Sequence, residues 1–166
     1  MEEIIKDNIQ SAIDEVEAFL FSQPQVYCPV VNTFINGMYI RQTTLPAGAT
    51  LTSKIHKTEH FNIIQKGKVT LHHEDGRHEL LEAPITFVSK PGVQKVLYIH
   101  EDTVWSTVHL TENRDLDSLE AELIEPDNYP QFDRSVERQG ILEAAEVQVL
   151  YIHDDIMWSG ALEEIL

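Results

Sequence analysis

Residues 53–73, SKIHKTEHFNIIQKGKVTLHH, set imidazoles and ammonium groups at spacings that chemistry can use. Residues two apart on a strand point to the same side, so Thr52, Lys54 and His56 share one face. His60, just across the following turn, is placed to aim at the same space. Imidazoles converging there with a carboxylate would hold a divalent ion and leave positions open for a substrate. A protonated lysine has three donors and no lone pair, so it repels a cation and attracts an anion. A third imidazole comes from VWSTVHL, where His109 shares a strand face with Trp105 and Thr107. His56, His60 and His109 are therefore the candidate ligands for iron, manganese, nickel or zinc. His100 falls in a turn. His72 and His73 end a hairpin and read as solvated, with His78 facing one of them. Glu59 neighbours His60 but points the other way along a regular strand. His153, before Asp154-Asp155, reads as an exposed loop, and Trp105 and Trp158 as core or interface.

The elements that must position these groups are legible in the spacing. Residues 2–21, EEIIKDNIQSAIDEVEAFLF, repeat apolar side chains every three or four positions, which predicts an amphipathic helix ended by SQPQ. From about residue 33 the texture changes to short strands between turn signals. TFINGMYIRQTTL carries an Asn36-Gly37 hairpin cue. ATLTSKI, EHFNIIQ, KVTLHH, RHELLE, ITFVS, VQKVLYI and VWSTVHL follow, with turns expected at PAG, Lys66-Gly67, EDG, KPG and HEDT. Seven or eight strands without an intervening helix predict a mainly β fold, an antiparallel sandwich or barrel. RDLDSLEAELIE, residues 114–125, predicts a short helix with Asp115 near its start, and PDNYP breaks it. The expected division is an N-terminal helix over 1–25, a barrel over 26–113, and a helical and extended C-terminal extension over 114–166. That extension would pack on the barrel or on a partner.

Over roughly residues 38–110 the chain resembles the cupin superfamily, small jelly-roll barrels. Their first motif runs from Gly through His-x-His and Glu to a second Gly. Here Gly48 opens the stretch, Lys54 takes the first His position, His56 the second, and His60 the Glu position before Gly67. In the second motif SKPGVQK puts Lys95 where a His belongs. The resemblance implies a barrel whose metal positions are partly held by lysine. HKTEHFNIIQKGKVTL and EDTVWSTVHLTENRDLDSLEAEL look, more narrowly, like small cupins encoded by tailed bacteriophages. That implies a phage origin and supplies no reaction. With no run of membrane-spanning length and no secretory start, the expected location is cytoplasmic, in the host if phage-encoded.

Charge divides the functions. The 166 residues carry a net charge of −16, which argues against nucleic-acid backbones and anionic membranes as partners. Residues 41–95 nevertheless hold eight of the twelve basic residues against five acidic ones, and seven of the eight histidines lie between His56 and His109. Lys54, His56, His60, Lys95 and His109 around one hollow would bind a small anion. Three functions follow: a cupin binding an anionic ligand without a standard catalytic metal; a metal-dependent dioxygenase, isomerase or lyase; and a phage structural or host-interaction protein using the barrel as scaffold. Cys28, alone, forms no internal disulfide and reads as a packed side chain. The start MEEIIKDN is acidic, unlike a secretory signal. An edge strand and an apolar helix stripe both need covering, which predicts a homodimer or larger oligomer.

Overall fold

The computed structural model describes residues 2–73 and 75–126. The extension from residue 127 onward, with His153, Asp154, Asp155 and Trp158, lies outside the described residues. Helix α1 spans Glu2–Ser22, and seven strands follow: β1 Val30–Ile35, β2 Met38–Leu45, β3 Thr50–Thr52, β4 His60–His73, β5 His78–Glu82, β6 Ile85–Ser89 and β7 Lys95–Leu110. Helix α2, Leu116–Leu123, closes the described chain. Among the described residues no helix is long and apolar enough to cross a membrane.

All pairings are antiparallel, and two long strands knit the barrel together. The first half of β4 and the second half of β7 pair with each other and continue through β2 and β1 on one side and β6 on the other. The second half of β4 and the first half of β7 form the opposite wall with β5 and β3. β4 and β7 therefore bend from one wall to the other. The bend sits at register shifts between Ile64 and Val69, opposite residues 99–105 of β7. The core gathers where the walls close, around Leu45, Ile64, Val69, Leu71, Leu97 and Ile99.

Two expected turns are absent. Lys66-Gly67 and HEDT lie inside the continuous strands β4 and β7 and form their bend. A glycine with positive φ serves a bulge as well as a hairpin, and Gly67, at φ +100°, lets the two backbones approach. The hairpin at Asn36-Gly37 forms as expected, with Gly37 at φ +72°. β3 is shorter than the predicted ATLTSKI strand. After it the chain crosses the barrel end, where His56 makes an isolated bridge to Ile124 just beyond α2.

The two helices wall the barrel. Ile13 and Val16 of α1 are buried. Glu17 accepts hydrogen bonds from Thr52 Oγ1 at 2.7 Å and Gln94 Nε2 at 2.8 Å. α2 is capped by Asp115, whose side chain accepts from the Ser118 amide at 3.1 Å. Its Leu119 and Leu123 are buried with Tyr39.

Candidate functional site

The inner face follows from the register. On β2 it carries Tyr39, Arg41 and Thr43; these stand opposite His109, Thr107 and Trp105 of β7. Asn62 of β4 pairs with Thr107, and His60 pairs with Ser89 of β6. The alternation puts His60 beside His109 on neighbouring strands. His56 reaches them from the barrel end, where three backbone bonds hold its segment. The Lys57 amide donates to Leu123 O at 2.8 Å, the Glu125 amide to Ile55 O at 2.9 Å, and the Gly92 amide to His56 O at 2.9 Å.

Three imidazoles thus come together. Ring centroids are 4.0 Å apart for His56 and His60, 5.0 Å for His60 and His109, and 5.3 Å for His56 and His109. Tyr39 extends the stack, 5.9 Å from His109. Each histidine is anchored through one hydrogen bond: His56 to backbone of Lys54, His60 Nδ1 to Thr58 O at 3.4 Å, and His109 Nε2 to Thr107 Oγ1 at 3.2 Å. Nδ1 of His109 is buried without a hydrogen-bond partner.

Electrostatics keep these rings neutral. Burial, then repulsion from His60 and His109, brings His56 down to about 3. Burial, His60 and Arg41 bring His109 to about 4. His60 is lowered by burial and by Lys95. A charged ring here would lack the hydration it has in water and would stand beside a second imidazole or a fixed cation.

The five side chains singled out in the sequence, Lys54, His56, His60, Lys95 and His109, all line one cavity of about 800 Å³. Lys54 stands at its exposed rim. Lys95 is half-buried; its Nζ donates to Ser89 Oγ at 3.3 Å and lies 5.8 Å from the Phe87 ring centroid. Sequence reasoning missed Arg41, which lines the same cavity and acts electrostatically on His56 and His109. It also passed over Asn62, which accepts from Trp105 Nε1 at 3.0 Å and donates to Ser89 Oγ at 3.1 Å. The period-two alternation of β2 would have shown Arg41 on the face of Tyr39, had the inner face been known.

The remaining histidines stand elsewhere. His72 faces His78 across the β4–β5 hairpin, ring centroids 4.3 Å apart, and His73 pairs with Glu79 at 3.0 Å. His100, within β7 rather than in a turn, contacts Thr70 Oγ1 at 2.7 Å. Glu59 is exposed. Cys28 lines the cavity, and burial raises its thiol to about 11, so it stays protonated at neutral pH.

No protein-family model matches the chain. No curated protein matches it. Among solved structures, ectoine synthase from P. lautus superposes with a TM-score of 0.50 at 11% identity, over 66% of this chain and 82% of that one. The fold is the cupin fold. A cupin-2 domain protein from Shewanella frigidimarina gives 0.42 at 15% identity, over 62% of this chain and 99% of that one. An RmlC-like cupin with a double-stranded β-helix fold from Methanocaldococcus jannaschii gives 0.43 at 16% identity, over 53% of this chain and 84% of that one.

The donors here match a divalent ion in part. Three neutral imidazoles, each tied by one hydrogen bond, is the pattern of metal-ligating histidines. Orientation differs. The rings lie at interplanar angles of 16° to 38°, whereas ring-nitrogen lone pairs lie in the ring planes and must converge on an ion. Among the described residues no group of three or more His, Cys, Asp or Glu is arranged to hold a metal. Arg41 and Lys95 add positive charge facing the same rings. The site as built fits an ion only after the rings turn.

Proposed function

We propose that this cupin barrel binds a small anionic molecule in its central cavity. The observation that carries the reading is the gathering of Arg41, Lys54 and Lys95 around one hollow inside a chain of net charge −16. The low-dielectric wall strengthens each charge-assisted hydrogen bond to a ligand. The guanidinium of Arg41 offers a planar fork to a carboxylate or phosphate, and the lysines offer point charges. His109, whose Nδ1 has no partner, can add one neutral donor, whereas His56 and His60 give their single N–H to backbone carbonyls and turn lone pairs toward the cavity.

The test is thermal shift and calorimetry with a panel of organic anions and inorganic phosphate. Arg41→Met and Lys95→Met are each expected to weaken anion binding about tenfold or more. Failure of every anion to stabilise the protein overturns the reading.

A second reading rests on the buried, unpartnered Nδ1 of His109 beside His56 and His60: rotation of the rings makes a three-histidine centre for iron, manganese, nickel or zinc. A bound ion would polarise a substrate oxygen or activate water. Stoichiometric metal in the purified protein, lost in His56→Ala, favours this reading over the first. The likeness of the chain to phage-encoded cupins, with its implied host cytoplasm, belongs to the proposal as well.

We further propose that two copies pair through the outer face of the β1–β2–β7–β4–β6 wall. In register, Phe61 stands between Val88 and Val108, and Val31, Ile35 and Leu110 lie on the same outward side. Val31, Val88 and Leu110 are 58%, 53% and 83% exposed. Chains this acidic repel each other elsewhere, so an uncharged face is where they can meet. Light scattering is expected to give a dimer, and Phe61→Asp with Val88→Asp a monomer; a monomeric wild type sinks the idea.

A further inference from the structure

Along three strands the inward residues change from polar to apolar in the same order, while Leu116, Leu119, Leu123 and Ile124 of the α2 segment add apolar wall at the histidine end. Inward residues run Tyr39, Arg41, Thr43, Leu45 along β2. Along β7 they run His109, Thr107, Trp105, and along β4 His60, Asn62, Ile64. Lys95 joins the polar end through Ser89 and its action on His60. Beyond Trp105 the lining is Leu45, Leu51, Leu71 and Leu97, continuous with the core. A purely hydrophilic anion would leave the leucine-lined part of this cavity of about 800 Å³ unmatched.

The lining also sets the charge. Among the described residues that line the cavity, Arg41, Lys54 and Lys95 oppose Glu17 and Glu120. Burial and neighbouring positive charges hold the three imidazoles uncharged near neutrality. One positive charge is left in excess, which one carboxylate balances and a dianionic phosphate monoester overshoots. Glu17, bonded by Thr52 and Gln94, remains an acidic boundary of the site.

We infer that the ligand is an amphipathic monocarboxylate, with its acid group at Arg41, Lys95 and the unpartnered Nδ1 of His109 and its hydrocarbon or aromatic body against Trp105 and the leucines. This rests on the anion-binding reading above and narrows it to a chemical class. The apolar half gives affinity by removing hydrocarbon from water, and the polar half fixes orientation.

Calorimetry on the full chain with octanoate, acetate, inorganic phosphate and 1-octanol tests it. Octanoate is expected to bind one per barrel, at least about tenfold tighter than acetate or phosphate, given the area its chain buries, and at least about tenfold tighter than 1-octanol, given its charge-assisted bonds. Arg41→Met, checked for an unchanged melting temperature, should weaken octanoate about tenfold and leave 1-octanol as it was. Acetate or phosphate binding as tightly as octanoate overturns the amphipathic ligand while the anion pocket stands. Equal binding of 1-octanol and octanoate removes the anion pocket itself, and so does the absence of binding by all four.

Discussion

Gly67→Ala is expected to destabilise the protein by about 3–5 kcal/mol, a large part of a single domain's stability. Gly67 sits at φ +100° in the bend of β4, where an added Cβ would come 2.6 Å from Thr103 Cα and 2.7 Å from Asp102 O, and onto Thr103 Oγ1. Two of those atoms are backbone of the paired strand β7. Thr103 is fully buried, and its hydroxyl donates to Glu101 O at 2.7 Å, so it has nowhere to turn. Positive φ contributes about 1–3 kcal/mol and the overpacking a similar amount. Gly92→Ala isolates the first contribution: its φ is +76° and nothing lies within 4 Å of the added carbon. Urea unfolding should show Gly92→Ala costing about 1 kcal/mol and Gly67→Ala several times that. Equal costs at the two positions would mean that the close approach of β4 to β7 is not what requires glycine.

The same residue shows where sequence reasoning stops. Lys66-Gly67 signals a reversal of backbone conformation but not whether the chain turns back or only bends. The pairing partner decides, and for residues 64–73 that partner is β7, some thirty residues later. HEDT misled for the complementary reason, since it is the matching bend on the other strand. What was legible was periodic. The alternation of VWSTVHL placed His109 with Trp105 and Thr107, and all three line the cavity. The apolar spacing gave α1 and α2, and the Asn36-Gly37 cue gave the first hairpin. Arg41 was illegible because both faces of β2 carry apolar residues: Met38 and Ile40 outward, Tyr39 and Leu45 inward. Local pattern does not say which side is the barrel interior. His56 has a different history: its direction depends on a bridge to Ile124, beyond α2, which no window of sequence around His56 contains.

Acid is expected to unfold this protein earlier than it unfolds a variant lacking the histidine cluster. In the folded state His56 titrates at about 3 and His109 at about 4, against 6.5 when exposed, and His60 is lowered as well. Between those values the unfolded chain binds more protons than the folded one, so stability rises with pH across that window. The contribution is fully present above pH 6.5 and is lost as pH falls toward 4 and then 3. A tenfold loss of proton affinity on folding corresponds to about 1.4 kcal/mol. Because the rings repel one another, their contributions are shared rather than additive, and the combined loss is about 3–5 kcal/mol. His56→Asn, His60→Asn and His109→Asn together remove the titration and keep polar side chains in place. Carboxylates contribute to acid unfolding in both proteins, so the informative quantity is the difference between their stabilities measured by denaturant at each pH. That difference should change by several kcal/mol between pH 7 and pH 4, with wild type losing more. Parallel curves would show that the imidazoles are hydrated in solution, and the neutral, water-poor end of the cavity on which the ligand assignment depends would not exist.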